Sequence, residues 1–330
     1  MIYNDKKHSI FLFLFLFVMS FNSTAQNGKD ENSFKVVGYY FLNAALRDTV
    51  HADSNFRFLD KITHLNIAFI NPDSAGNFNL QLAIDTLIKK AHQKNVKVLA
   101  SIAGGGPHPY FSYLLDNKHR KMFIGNLISL VKRYDLDGID VDIEGDDINK
   151  FYGKFVVELA ASLRPLNKLI TSAIATAYKD LIPDKALLQY DFVNVMSYDR
   201  TGPWRPQDPG DPSPYTMAVE DIDYWHNERN IPQQKIILGL PFYGYGFGNA
   251  DSPVLGISYK EIISLYPEEK SDTIHFPKNV TMYFNNMATI KKKTQLAIQK
   301  GGGVMIWQLL GDSDGDKSLL NVIDEVIHGK

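Results

Sequence analysis

The chain has no cysteine. That excludes disulfides, thiolate zinc sites, iron–sulfur clusters and cysteine nucleophiles together, and with them the acylated cysteine of a bacterial lipoprotein. It also lacks a surplus of charge. With 35 Lys and Arg against 37 Asp and Glu, the net charge is −2, which argues against a general binder of nucleic acid or of anionic membranes. No apolar run is long enough to span a bilayer, for which about 20 residues are needed. No Gly-x-Ser-x-Gly nucleophile elbow occurs, and no glycine-rich dinucleotide turn follows the first expected strand. His64, His108, His226 and His275 lack metal-ligand spacing, and His64, beside a buried strand, reads as a core residue. No metal and no cofactor are expected.

What is present is a globular composition. The 330 residues are 45% hydrophobic and 22% charged, enough for two ordinary domains or one large barrel. Lys6 and Lys7 precede the apolar run Ile10–Met19, and Ser23-Thr24-Ala25 follows it. A charged start, a short apolar core and small residues form the pattern of a signal peptide. Residues 1–25 are therefore expected to be a signal peptide, cleaved before Gln26, and the remainder an exported bacterial protein, periplasmic or secreted. Without disulfides, residues 26–330 must be stable by their core, and a chain of that size buries roughly three-quarters of its unfolded surface.

Short β-branched or aromatic runs bounded by breakers fall at Lys35–Phe41, Thr63–Ile70, Val96–Ala103, Gly138–Glu144, Ile170–Thr176, Phe192–Tyr198, Ile236–Phe242 and Gly303–Leu309. Most are continuously apolar, as parallel strands covered on both faces are. Helical periodicity lies between several of them, at Leu82–Lys94, Lys118–Tyr134, Asn149–Leu163, Met217–Glu228 and Met287–Lys300. In Lys118–Tyr134 the stripe reads Met122, Phe123, Leu127, Leu130 and Val131. Eight strand–helix units predict an α/β fold, a (β/α)8 TIM barrel; a doubly wound sheet is the runner-up. Residues 243–302 exceed what one crossover helix needs. They predict a small insertion between the seventh and eighth strands, with a helix at Ser258–Leu265 and a strand at Thr281–Phe284. The Pro- and Gly-rich loop Pro203–Pro214 follows the sixth strand, on the face where barrels carry their sites.

The chemistry concentrates in Asp137-Gly138-Ile139-Asp140-Val141-Asp142-Ile143-Glu144. Alternate strand residues face the same way, about 6.6–7 Å apart, so Asp140, Asp142 and Glu144 share one side. Ile139, Val141 and Ile143 take the other, against helices. The acids then point into the barrel and rise toward its mouth. Like charges and desolvation push at least one pKa up, and Glu144, the outermost, is best placed to act as a protonated acid near neutrality. A calcium loop is the competing reading. Asp140, Asp142, Glu144 and Gly145 copy half of an EF-hand, but its twelfth position is Phe151 rather than Glu.

The segment fits DGxDxDxE and resembles the signature of family 18 glycoside hydrolases, the chitinase family. Ser101-Ile102-Ala103-Gly104 resembles that family's SxGG, Asn194-Val195-Met196-Ser197-Tyr198-Asp199 its QxMxYD, and Leu238–Gly244 and Gly302–Trp307 its seventh and eighth strands. The resemblance runs in order from Val36 to Leu309.

It implies a retaining, substrate-assisted glycosidase cleaving β-1,4 linkages of N-acetylglucosamine-containing glycans, chitin or chitooligosaccharides, with endo action. Glu144 would protonate the glycosidic oxygen, and the substrate's own acetamido carbonyl would attack the anomeric carbon. Asp142 would orient the acetamido group, Asp140 would exchange a hydrogen bond with Asp142, and Tyr198 would donate to the acetamido oxygen. Met196 and Asp199 would line the same subsite and Trp307 would form its floor. Tyr40, Trp204 and Asn194 would complete the sugar-binding set.

The departures lie in the cleft. Gly105-Gly106-Pro107 stands where an aromatic residue is common, Asn194 is shorter than Gln, and Tyr245 replaces an Arg. A short cleft follows, which leaves soluble chitooligosaccharides, peptidoglycan-like fragments and N-glycan cores open as substrates, the nearest rival being an endo-β-N-acetylglucosaminidase on N-glycan cores. Separately, the resemblance also covers chitinase-like lectins without turnover, which keep the barrel but lose the acid, whereas Glu144, Asp142 and Tyr198 are all present here. The expected partner is a glycan, bound by a monomer with no nucleic acid and no transmembrane anchor after signal cleavage.

Overall fold

The computed structural model describes Met1 and residues 34–42, 56–79, 84–248, 254–268 and 270–329. The expected signal peptide and its cleavage site lie outside the described residues. Among those described, no helix is long and apolar enough to cross a membrane.

The strands, in chain order, are β1 (Lys35–Phe41), β2 (His64–Ala68), β3 (Lys97–Gly104), β4 (Gly138–Ile143), β5 (Leu169–Ile174), β6 (Phe192–Val195), β7 (Ile236–Pro241), β8 (Tyr243–Phe247), β9 (Leu255–Ser258), β10 (Thr273–Phe276), β11 (Val280–Phe284) and β12 (Gly303–Trp307). Eight of them close a barrel in the order β1-β12-β7-β6-β5-β4-β3-β2, and every pairing within it is parallel. This is the (β/α)8 architecture that the eight apolar runs predict. Closure removes both sheet edges.

The helices cover the outside. Ile84–Gln93 buries Ile84, Leu87, Ile88 and Ala91, one stripe at helical spacing. Arg120–Arg133 buries Phe123, Ile124, Leu127, Leu130 and Val131. Met122, expected on that stripe, is exposed instead, and Ile124 takes its place. Tyr152–Leu163, Tyr215–Asp223 and Met287–Lys300 follow, and Leu319–His328, not foreseen from periodicity, closes the chain. Between β5 and β6 the α-helical segment is a single turn, Asp184–Leu187, preceded by the 3-10 turn Thr176–Tyr178.

The insertion is more substantial than one helix and one strand. β8 to β11 form an antiparallel sheet in the order β10-β11-β8-β9. Its helix, Tyr259–Leu265, begins where the sequence places it, because Ser258 and Glu261 form a capping box: Ser258 N donates to Glu261 Oε2 at 2.8 Å and Glu261 N donates to Ser258 Oγ at 3.4 Å.

Two apolar clusters result. The larger lies between barrel and helices and contains Ile139, Val141 and Ile143 from β4. The smaller fills the barrel interior with Val37, Tyr39, Ala68, Phe192, Tyr198, Ile237 and Met305, with Phe41, Phe69, Met196, Tyr243 and Trp307 packed against it. The acids of β4 belong to the interior side.

Candidate active site

Asp140 is wholly buried and is held by donors from four strands. Tyr39 OH and Ser101 Oγ donate to its Oδ2 at 2.7 and 2.8 Å. Thr171 Oγ1 and Asn194 Nδ2 donate to its Oδ1 at 2.6 and 3.3 Å. Burial pushes its pKa above the usual carboxylate range, and the hydroxyl and amide donors pull it back. Four donors around one carboxyl suit an acceptor-only group, an ionised carboxylate.

Asp142, one strand period higher, is buried with a different environment. Its pKa is driven well up by burial first, then by the charges of Glu144 and Asp140. Its carboxyl is hydrogen-bonded to Glu144. Its buried Oδ1 has no partner among the described residues. An unpaired polar atom at this depth is costly unless a ligand completes it.

Glu144 stands just past the last residue of β4, in extended backbone (φ −121°, ψ 160°). Burial, followed by the negative charge of Asp199, raises its pKa to about 7. Two carboxyls in hydrogen bond with raised pKa values share a proton at neutrality. An acid that still holds its proton at pH 7 is what protonation of a leaving oxygen needs.

Asp199 follows Tyr198 in left-handed backbone (φ 64°) and accepts from the hydroxyls of Tyr243 and, at 3.3 Å, Tyr245. Tyr198 lies in the barrel interior with its hydroxyl 3.8 Å from Met305 Sδ. Burial and then the charges of Asp142, Asp199 and Glu144 raise its pKa far above that of a free phenol, so it remains a neutral donor among carboxylates. β7 makes room for its ring with a glycine: a Cβ at Gly239 would meet Tyr198 Cε1 at 2.8 Å.

Trp307 ends β12 half-buried. It stacks on Phe69 with ring centroids 5.6 Å apart, and meets Tyr39 edge-on at 5.5 Å and Phe41 at 5.9 Å. Three aromatic neighbours fix its plane at the strand's C-terminal end. Met196 packs in the same interior cluster. Trp204 is 53% exposed on the loop after β6, edge-on to Tyr245 at 5.8 Å.

Two expected sugar-binding residues are elsewhere. Tyr40 faces outward, against Phe56 and Phe58 at 6.3 and 5.7 Å, in the cluster under the helices. The inward residues of β1 are Val37, Tyr39 and Phe41. Asn194 faces inward but lies too deep for a sugar. It is fully buried and donates to Tyr39 OH at 3.2 Å as well as to Asp140, so it supports Asp140 from below.

Sequence reasoning missed Tyr39, Phe41, Phe69 and Tyr243. It also missed Tyr178, which feels the charges of Glu144, Asp199 and Asp142. For Tyr243 and Tyr245 a signal existed: they alternate with glycines in Tyr-Gly-Tyr-Gly, so they share one face of β8.

A (β/α)8 barrel whose fourth strand carries a ladder of acids to the C-terminal mouth defines the class, a barrel of the glycosidase type. The chain belongs to family 18 of the glycosyl hydrolases, whose model matches residues 35–312. A solved chitinase from the chitin utilization locus of Flavobacterium johnsoniae is 36% identical, with a TM-score of 0.80, covering 89% of this chain and 94% of that one. A chitinase from Bacteroides thetaiotaomicron is 29% identical with a TM-score of 0.74, covering 89% and 97%. A chitinase-like effector of Moniliophthora perniciosa is 27% identical over 76% of this chain, which spans 64% of that protein's length. The chain spans 37% of the oviduct-specific glycoprotein of Mesocricetus auratus, to which it is 29% identical.

Proposed function

We propose that the protein is a retaining glycoside hydrolase that cleaves β-1,4 linkages of N-acetylglucosamine-containing glycans by substrate-assisted catalysis, with chitooligosaccharides as the first substrate class. The observation that carries the reading is the contrast between adjacent carboxyls on β4. Asp140 is saturated with donors, whereas Asp142 has one buried oxygen without a partner among the described residues.

An acetamido N–H is the complement of that oxygen. Bound there, the acetamido group is turned so that its carbonyl oxygen attacks the anomeric carbon as the glycosidic bond breaks. The developing positive charge is offset by Asp142, which is left as a carboxylate when the proton it shares with Glu144 passes to the leaving oxygen. Glu144, with its pKa raised to about 7, gives its proton to the leaving oxygen. It then takes a proton from the water that opens the cyclic intermediate, and the anomeric configuration is retained. Tyr198 donates to the acetamido oxygen, and Trp307 carries the apolar face of the sugar. Met196 and Asp199 line the subsite, and Trp204 offers a ring to a further sugar at the rim. Export follows from the Lys6–Ala25 pattern.

The space beside the acid supports a second substrate. A Cβ at Gly105 would lie 3.7 Å from Glu144 Oε1, and one at Gly106 would meet nothing within 4 Å. Such an opening admits a bulky leaving group, as an endo-β-N-acetylglucosaminidase on N-glycan cores requires.

The test is incubation with an aryl chitobioside, chitooligosaccharides and an N-glycosylated protein, beside Glu144→Gln. Release from the first two by the native chain alone is the expected result. Cleavage of the glycoprotein only would transfer the assignment to N-glycan cores. Sugar binding without hydrolysis by either form would establish a lectin and end the enzyme reading.

A further inference from the structure

Behind the loop after β6 lies a lysine with no exposure at all. Lys293, on the helix Met287–Lys300, has 0% accessible surface, as do Ser197 and Ser213. Its ammonium spends all three protons: on Ser213 Oγ at 2.7 Å, on Asn285 Oδ1 at 2.7 Å and on the Ser213 carbonyl. Asn285 Nδ2 donates to that carbonyl at 3.0 Å, and Ser213 Oγ donates onward to the Ser197 carbonyl at 2.6 Å.

These bonds close a ring. Ser197 is two residues before Asp199, and Asp199 is bonded to Tyr243 and Tyr245 on β8. β8 pairs with β11, β11 leads into Asn285, and Asn285 returns through Lys293 and Ser213 to Ser197. We propose that Lys293 and Ser213 are positioning residues of the active site, tying the loop after β6 to the insertion sheet so that Asp199 and Tyr198 are held against Glu144. This rests on the glycosidase reading for its consequence in turnover, not for its geometry.

A purely structural role accounts for the lysine poorly. A buried ammonium is a weak source of stability, and an apolar side chain of similar length fills the same space without desolvating a charge. The groups that face Lys293 are Asp211 on the loop, Asp221 on the helix Tyr215–Asp223 and Asp272 ahead of β10; all three favour the charged form, against burial, which brings the lysine down to about 8. The ring also has an electrostatic output. The charge of Asp199 is one of the causes that raise Glu144, so an Asp199 free to swing away lets the Glu144 pKa fall.

The experiment is Ser213→Ala, which removes the hydroxyl link and leaves Lys293 its two remaining acceptors, with Lys293→Met beside it. The Glu144 carboxyl is titrated by carbon-13 NMR in each variant. Turnover of an aryl chitobioside is followed against pH, and folding by thermal unfolding. In Ser213→Ala the Glu144 titration and the alkaline limb of kcat/KM are expected to move together to lower pH by about half a unit. kcat is expected to fall by roughly tenfold, which corresponds to about 1.4 kcal/mol in the activation barrier, with KM within about threefold. An unmoved Glu144 titration in folded Ser213→Ala overturns the proposal, whatever happens to the rate or to thermal stability. Lys293→Met is expected to shift the titration the same way; should it not fold, Ser213→Ala decides alone. A native chain that hydrolyses no glycoside would overturn the proposed function instead, and the NMR titration would still decide the positioning role.

Discussion

Tyr39 and Asp140, 101 residues apart in sequence, meet in the barrel interior through a 2.7 Å hydrogen bond from the phenol to the carboxylate. The bond spans strands that are not neighbours, since β2 and β3 lie between β1 and β4. It closes a polar layer of Ser101, Thr171 and Asn194 beneath Asp142 and Glu144. The charge of Asp140 is thus anchored, and it acts on Asp142 from below.

Tyr39→Phe removes one of four donors from a buried carboxylate. Hydrogen bonds to charged groups contribute about 1.5–3 kcal/mol, and a loss of that size is expected in urea unfolding. A cost below about 0.5 kcal/mol would mean that the remaining donors compensate fully and that Asp140 is not anchored through Tyr39.

Glu144→Gln keeps shape and removes the proton. kcat on an aryl chitobioside is expected to fall by about 10² to 10⁴, while calorimetry shows chitooligosaccharide affinity within a few-fold of the native protein. The interaction lost belongs to the transition state and not to ground-state binding. Undiminished kcat would remove Glu144 from the role of acid.

The pH profile follows from the sign of the Glu144 shift. The raised pKa of about 7 means that the acid is protonated below neutrality and empties above it, so kcat/KM declines as pH rises through about 7. Asp199→Asn removes a charge that raises that pKa, so the decline is expected to begin at lower pH. A limb displaced upward, or fixed in place, would contradict the electrostatic link.

Gly104 occupies left-handed backbone (φ +91°), and a Cβ there would come within 2.3 Å of the Phe69 ring. Gly104→Ala is expected to destabilise the fold by roughly 1–3 kcal/mol through strain and overpacking. Because Phe69 stacks on Trp307, KM for oligosaccharides is expected to rise as well. Unchanged thermal unfolding in this variant would show that Phe69 moves aside freely.

The eight barrel strands were legible in the sequence to within a few residues at each end, because runs of about four to eight residues rich in β-branched and aromatic side chains, bounded by breakers, are too short for helices and fit a covered strand. The side on which Asp140, Asp142 and Glu144 stand was legible too, since acids alternating with Ile and Val can satisfy only one arrangement of interior and helix-covered faces. β1 shows where this reasoning stops. Val36 to Phe41 is apolar on both faces, so the period of two exists without a label, and Tyr40 was expected where Tyr39 stands. Asn194 shows a second limit. Its inward face could be read, but its depth could not, because depth is set by the stagger of neighbouring strands.

The sequence by itself therefore determined the fold and the placing of three acids on one side of β4, which depend on local periodicity and side-chain chemistry, and its motifs carried the resemblance to the family that the family model bears out. Only the tertiary structure decided which aromatic residues reach the site, which carboxylate is saturated and which has an oxygen without a partner among the described residues, and how Lys293 is tied to the loop behind Asp199. Those relations depend on barrel closure, which brings strands far apart in the chain to within hydrogen-bonding distance in an interior that no single segment encodes.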